Sequence, residues 1–208
     1  MERSSERGMV VGLVAGIVLG LMVLAAAGGL SAVVISADSA SAAGTQPQAV
    51  RQADLYLSIV TGEMTGSKLG PAYVPADFTV PAHATVTVRI VDFDGATPQE
   101  PVKYARVWGT VGNQETVQPI LNNDPNAPGP SHETSALNPK TGVGHTFTVP
   151  GLNLNVPVAP NAVVTFTFKT GAAGVYHWQC FNPCGSGTSG WSGAMDTDRY
   201  MKGTLTVT

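Results

Sequence analysis

Two cysteines, Cys180 and Cys184, are separated by three residues in the stretch Tyr176-His-Trp-Gln-Cys-Phe-Asn-Pro-Cys-Gly185. They are the only cysteines in the chain. Met195 closes the glycine-rich run that follows, and His145 lies on an earlier apolar segment. Thiolate, imidazole and thioether together suit copper, because soft sulfur stabilises Cu(I) while imidazole serves both oxidation states. A nitrogen–sulfur set with a weak methionine is an electron-transfer geometry. His145, Cys180, Cys184 and Met195 are therefore the candidate metal ligands. The same thiols also fit a small disulfide, since two cysteines in an oxidising compartment read as one bridge. A Cys180–Cys184 bridge closes so short a loop that it stabilises little. Both readings stand on the residues alone.

The elements that must hold these groups are strands. Along 174–180 the period-2 geometry of a strand puts Tyr176, Trp178 and Cys180 on one face and His177 and Gln179 on the other. If Cys180 faces a metal, His177 does not, so His177, Gln179 and Trp178 are expected around the ligands rather than among them. Leu55, Leu57 and Ile59 alternate with polar neighbours, and Val86, Val88 and Ile90 do so within 85–91. Further short strands are expected at 78–80, 104–111, 144–149, 152–156, 163–168 and 203–207. Asp92-Phe-Asp-Gly95 supplies turn chemistry. Residues 112–142, with several prolines and glycines, read as a long loop. Seven or eight short, turn-separated strands indicate an all-β sandwich or barrel. No amphipathic helix is expected within it.

The segment ahead of the sandwich differs. Met9 to Ala37 carries no charge and is long enough to span a membrane. Ala40-Ser-Ala42 also offers a small-residue cleavage site, so the run reads as an anchor or a signal sequence. Arg3 and Arg7 precede it and no Lys or Arg follows until Arg51, which places the N-terminus in the cytoplasm and the domain outside. The expected layout is a cytoplasmic tip and anchor at 1–37, a flexible tether at 38–52 and the β domain at 53–208. Gly12, Gly16 and Gly20 share one helix face, which reads either as a glycine-rich apolar segment with no partner or as a spacing that lets two membrane helices approach as a homodimer.

Composition excludes several functions. Only 12% of the 208 residues are charged and the net charge is −3, without a basic patch, so nucleic acid is not an expected partner. No Gly-x-Ser-x-Gly elbow and no His-Glu-x-x-His pair is present, which disfavours a hydrolase.

His145-Thr-Phe-Thr-Val-Pro-Gly-Leu152, followed by Tyr176–Gly185, resembles the cupredoxin family, closest in motif to the copper-binding domain of cytochrome c oxidase subunit II. In that family a His-x-Phe strand supplies one ligand, a Gln-Cys-x3-Cys-Gly loop supplies two thiolates, and a histidine and a methionine follow. The resemblance spans residues 75–208. It implies a Greek-key β-sandwich, bound copper and electron transfer with a redox partner protein or respiratory complex. It puts His145, Cys180 and Cys184 at ligand positions, Met195 at the methionine, and Gln179 and Gly185 in the loop frame. Thr188 stands where the family has its second loop histidine, and no histidine follows His177. The chain also offers one membrane segment where subunit II commonly has two. These departures leave the nuclearity of the site open. The expected function is a membrane-anchored, extracytoplasmic electron carrier rather than a catalyst by itself. The alternatives are a Cu(I)-delivery module and a copper-free structural module with a Cys180–Cys184 disulfide.

Overall fold

Alternation of β-branched or apolar residues with polar ones builds most of the strands. In β4 (Ala84–Asp92), Val86, Val88 and Ile90 are buried, and Arg89 between them is exposed. β1 (Arg51–Val60) buries Leu55, Leu57 and Ile59 in the same way. The structure, a computed structural model, describes residues 51–97, 102–124 and 126–208. The proposed anchor and the glycine face Gly12, Gly16 and Gly20 lie outside the described residues. Among those described, no helix is long and apolar enough to cross a membrane.

Among the described residues, eleven strands form two facing sheets. With β1 and β4, the first contains β2 (Ala72–Val74), β5 (Glu115–Pro119), β6 (His132–Thr134) and β9 (Ala162–Lys169), in the order β2-β1-β4-β9-β5-β6. The second contains β3 (Asp77–Val80), β7 (His145–Val149), β8 (Leu154–Val158), β10 (Gly174–Gln179) and β11 (Lys202–Val207), in the order β3-β11-β10-β7-β8. The β1/β4 and β3/β11 pairs are parallel, and the other pairs are antiparallel. Val88, Ile90, Val164 and Phe166 from one sheet meet Phe147, Val149, Trp178 and Leu205 from the other in a single buried cluster. Trp178 packs edge-on against Tyr73, with ring centroids 4.7 Å apart, and its indole N–H donates to Ala76 O at 2.7 Å. The expected all-β sandwich is the observed architecture.

Two expectations are corrected. The strand expected at 104–111 is a helical turn, Val102–Ala105, followed by single bridges from Arg106, Trp108 and Thr110 to three different partners. Gly109 explains the break in the ladder: it turns with φ +80°, and a Cβ there would meet Asn153 O at 2.2 Å. Residues 112–142 are not a long loop, because β5 and β6 lie within them and complete one edge of the first sheet. Their sequence hides this: β5 places a buried Glu115 where an apolar residue would mark the inner face. A one-turn helix, α1 (Gly62–Thr65), is also present. Thr61 Oγ1 accepts from Met64 N at 3.2 Å, and left-handed Gly66 ends the turn. β1 begins at Arg51, two residues before the expected start of the domain.

β7 and β8 are buried on both faces, unlike an ordinary sheet edge. The 102–108 segment covers them, with Asn155 and Trp108 exchanging backbone hydrogen bonds at 2.9 and 3.0 Å. That cover shields the strand that begins at His145.

Candidate metal centre

His145 opens β7, and Cys180 follows directly on the neighbouring β10. Strand parity turns Trp178 and Cys180 inward, to 1% and 0% exposure, and leaves His177 exposed on the other face. His177 and Gln179 thus sit on the sheet face opposite Cys180, while Trp178 belongs to the core. His145 and Cys180 are fully buried, Met195 is 2% exposed and Cys184 is partly exposed.

One ring nitrogen of His145 and the sulfurs of Cys180 and Cys184 all lie within 4.8 Å of one another. The His145 Nε2 is engaged by Asp94 Oδ2 at 3.2 Å. Its Nδ1 is buried and has no hydrogen-bond partner. The two sulfurs are 3.4 Å apart, and Cys184 Sγ is 3.3 Å from Met195 Sδ. A disulfide bond is about 2.05 Å long, so the cysteines are unbridged thiols. The structure brings together all four sequence-expected ligands. Thr188, at the position of the missing histidine, is exposed on the loop.

Backbone and side-chain hydrogen bonds set the loop against β7. Cys180 Sγ accepts from Thr146 N at 3.3 Å and Asn182 N at 3.4 Å. Phe181 N donates to Thr146 Oγ1 at 2.8 Å. Asn182 Nδ2 donates to Val143 O and Gly144 O at 3.2 and 2.7 Å. The path to Met195 is a small hairpin, with Ser186 and Ser192 paired across it. Ala194 N donates to Leu69 O at 2.8 Å, which fastens the hairpin to the α1–β2 connection. Close packing fixes Gly185, where a Cβ would meet Ser192 O at 2.0 Å and Met195 Cγ at 2.9 Å.

The electrostatics favour one anionic sulfur. Burial opposes ionisation of Cys180, yet the S–H of Cys184, the charge of His145 and the Thr146 N–H together hold its pKa well below the usual thiol value. The hydrogen bond to Cys180, reinforced by burial, raises Cys184 well above it. Both directions favour Cys180 over Cys184 as the sulfur that carries negative charge. Burial disfavours a charged His145, but Asp92 and Asp94 outweigh it and raise the ring to about 10. Hydrogen bonding from His145 lowers Asp94. Burial raises fully enclosed Asp92 to about 7, and its Oδ2 lacks a partner. The two aspartates had read as turn residues. Their role at His145 depends on β4 ending beside β7 in the other sheet, which no local pattern reveals.

A buried imidazole within 4.8 Å of two sulfurs, with a thioether 3.3 Å from one of them, is a metal-ligand set of borderline-to-soft character. Ligand sulfurs at about 2.3 Å from one ion can span the observed 3.4 Å separation. The residues fit a copper ion.

No family model and no curated protein matches the sequence. Solved structures are similar at low identity. A multicopper oxidase from Campylobacter jejuni is 13% identical with a TM-score of 0.40, covering 78% of this chain and 31% of that one. The chain therefore spans less than a third of that oxidase. Auracyanin A, a blue copper protein from Chloroflexus aurantiacus, is 17% identical with a TM-score of 0.35, covering 76% and 99% of the two chains. A purple cupredoxin from Nitrosopumilus maritimus is 17% identical with a TM-score of 0.28, covering 74% and 100%.

Proposed function

We propose that this chain is a cupredoxin-type electron-transfer protein that holds copper with His145, Cys180, Cys184 and Met195. The observation that carries the reading is that one ring nitrogen of buried His145 and the two unbridged sulfurs lie within 4.8 Å of one another. Copper there supplies one-electron redox chemistry. The protein's own residues supply the rest. Thr146 N–H and Asn182 N–H stabilise the Cys180 thiolate, and Asp94 orients the imidazole. The ligands come from the second sheet and the loop between two of its strands, a frame that would change little between the oxidation states of a bound copper and so keep reorganisation small. The likeness to the oxidase subunit II loop supports the thiolate pair. The exposed Thr188 favours a set with a single histidine over one with two.

The apolar run Met9–Ala37 supports a domain tethered at the outer face of a membrane, where it would meet redox partners. Titration with Cu(II) tests the metal reading. One visible charge-transfer band is expected, lost in Cys180→Ser. A protein that stays colourless and copper-free after reconstitution of the reduced thiols overturns it.

A further inference from the structure

We propose that the Phe181–Tyr104 stack, flanked by Lys103 and Arg106, is an electron port at which an acidic redox protein docks. The inference rests on the copper reading above and deepens it.

His145, Cys180 and Met195 are buried and only Cys184 is partly exposed, so the chain next to Cys180 offers an electron a short route out. Phe181 is bonded directly to the Cys180 residue. Its half-buried ring stacks on Tyr104, with centroids 4.7 Å apart and planes inclined by 8°. Tyr104 in turn lies 6.0 Å from Trp108, which is also half-buried. These three rings form a contiguous π path from the loop to the surface.

A second, buried connection holds the path in place. Cys180 Sγ accepts from Thr146 N, and Thr146 Oγ1 lies 3.0 Å from Thr148 Oγ1. Thr148 Oγ1 donates to Asn155 Oδ1 at 2.6 Å. Asn155 Nδ2 then donates to Tyr104 O and Arg106 O at 3.1 and 2.6 Å. Thr146, Thr148 and Asn155 are each at most 3% exposed. A line of buried hydrogen bonds is costly to leave partly satisfied, so it fixes the Tyr104 segment at one distance from Cys180.

Charge selects the partner. Lys103 and Arg106 are the only charged residues between Val102 and Gln114, and both are exposed. The facing segment Ser135–Asn138 has no charge, and neither does the loop from Phe181 to Ala194. On the other side of Phe181 the charges are paired, Arg199 with Asp77 and Lys202 with Asp198, which leaves Lys103 and Arg106 as the cations beside the stack. This face fits a partner with an acidic surface around its own redox group. One electron leaves the reduced site and reduces the partner by one electron. No bond is made or broken and no proton moves.

The test uses two inorganic probes. Hexacyanochromate(III), a redox-inert paramagnetic anion, is added to the metal-free protein and amide broadening is read by NMR. Broadening is expected at Lys103–Trp108 and Phe181, and is lost in the double variant Lys103→Glu/Arg106→Glu. In the copper-loaded, reduced protein, oxidation by hexacyanoferrate(III) at low salt should slow about tenfold in that double variant, the low end of electrostatic steering. Tyr104→Ala should slow it with the copper absorption unchanged. Uniform broadening, or oxidation within twofold of wild type in both variants, overturns the port while the copper reading survives. A wild-type protein without a copper chromophore overturns both. The exposed double variant keeps the test sound if Tyr104→Ala does not fold.

Discussion

Asp94 Oδ2 sits 3.2 Å from His145 Nε2, and this contact decides which imidazole nitrogen is left for the sulfurs. Carboxylate partners of ligating histidines fix ring orientation, and their loss typically costs 10- to 100-fold in metal affinity. Asp94→Asn should weaken copper binding by about that factor, measured by competition with a chelator of known affinity. It should leave the fold intact, because Asp94 lies at the rim and is 17% exposed. Unchanged affinity would remove Asp94 from the site.

Met195 is 2% exposed and its Sδ lies 3.3 Å from Cys184 Sγ, so its side chain packs in the core while its thioether faces the candidate ligands. Met195→Leu conserves volume and should cost less than about 1.5 kcal/mol of stability. It removes the thioether, a weak donor that would tune the redox potential of a bound copper. The reduction potential should rise, because Cu(II) loses more from a missing donor than Cu(I) does. Protein-film voltammetry reads the shift. An unchanged potential would make Met195 a packing residue alone.

Most of the sandwich was legible because its strands are half-buried and alternate. The ligand set was legible because Cys180, Cys184 and Met195 share one loop and His145 opens a recognisable strand. What stayed hidden was non-local. Asp92 and Asp94 look like a turn until the sheets face each other. Asn155 looks like an outward-facing polar residue of an alternating strand until β8 is seen to be buried on both faces. Glu115 disguises β5 because a buried carboxyl breaks the apolar pattern.

The hairpin from Gly185 to Met195 has no slack at its first residue. Gly185→Ala places a Cβ 2.0 Å from Ser192 O, and the backbone must move. Overpacking of this kind costs about 1–3 kcal/mol. Because the same Cβ lies 2.9 Å from Met195 Cγ, the thioether should be displaced with it. Thermal unfolding should show the stability loss, and the copper spectrum should move toward that of Met195→Leu.

Glu115 is 2% exposed and both carboxyl oxygens lack partners. Burial raises its pKa from 4.5 to about 9. Its contribution to stability is therefore fully present below about pH 4.5 and is lost as pH rises toward 9, with a limiting slope of about 1.4 kcal/mol per pH unit. Glu115→Gln should remove that dependence and be more stable relative to wild type at pH 8 than at pH 5. Urea denaturation of the metal-free proteins at both pH values checks it. An equal difference at the two would show that Glu115 is ionised or solvated.

The central claim is that His145, Cys180 and Cys184 bind one kind of ion together, and X-ray absorption at the copper edge tests it most directly. The account predicts a first shell containing two sulfur scatterers at about 2.3 Å, the ordinary metal–thiolate length, plus imidazole nitrogen. One sulfur scatterer should vanish in Cys184→Ser and the imidazole signal should vanish in His145→Ala. A first shell of nitrogen and oxygen alone, unchanged in both variants, would contradict it.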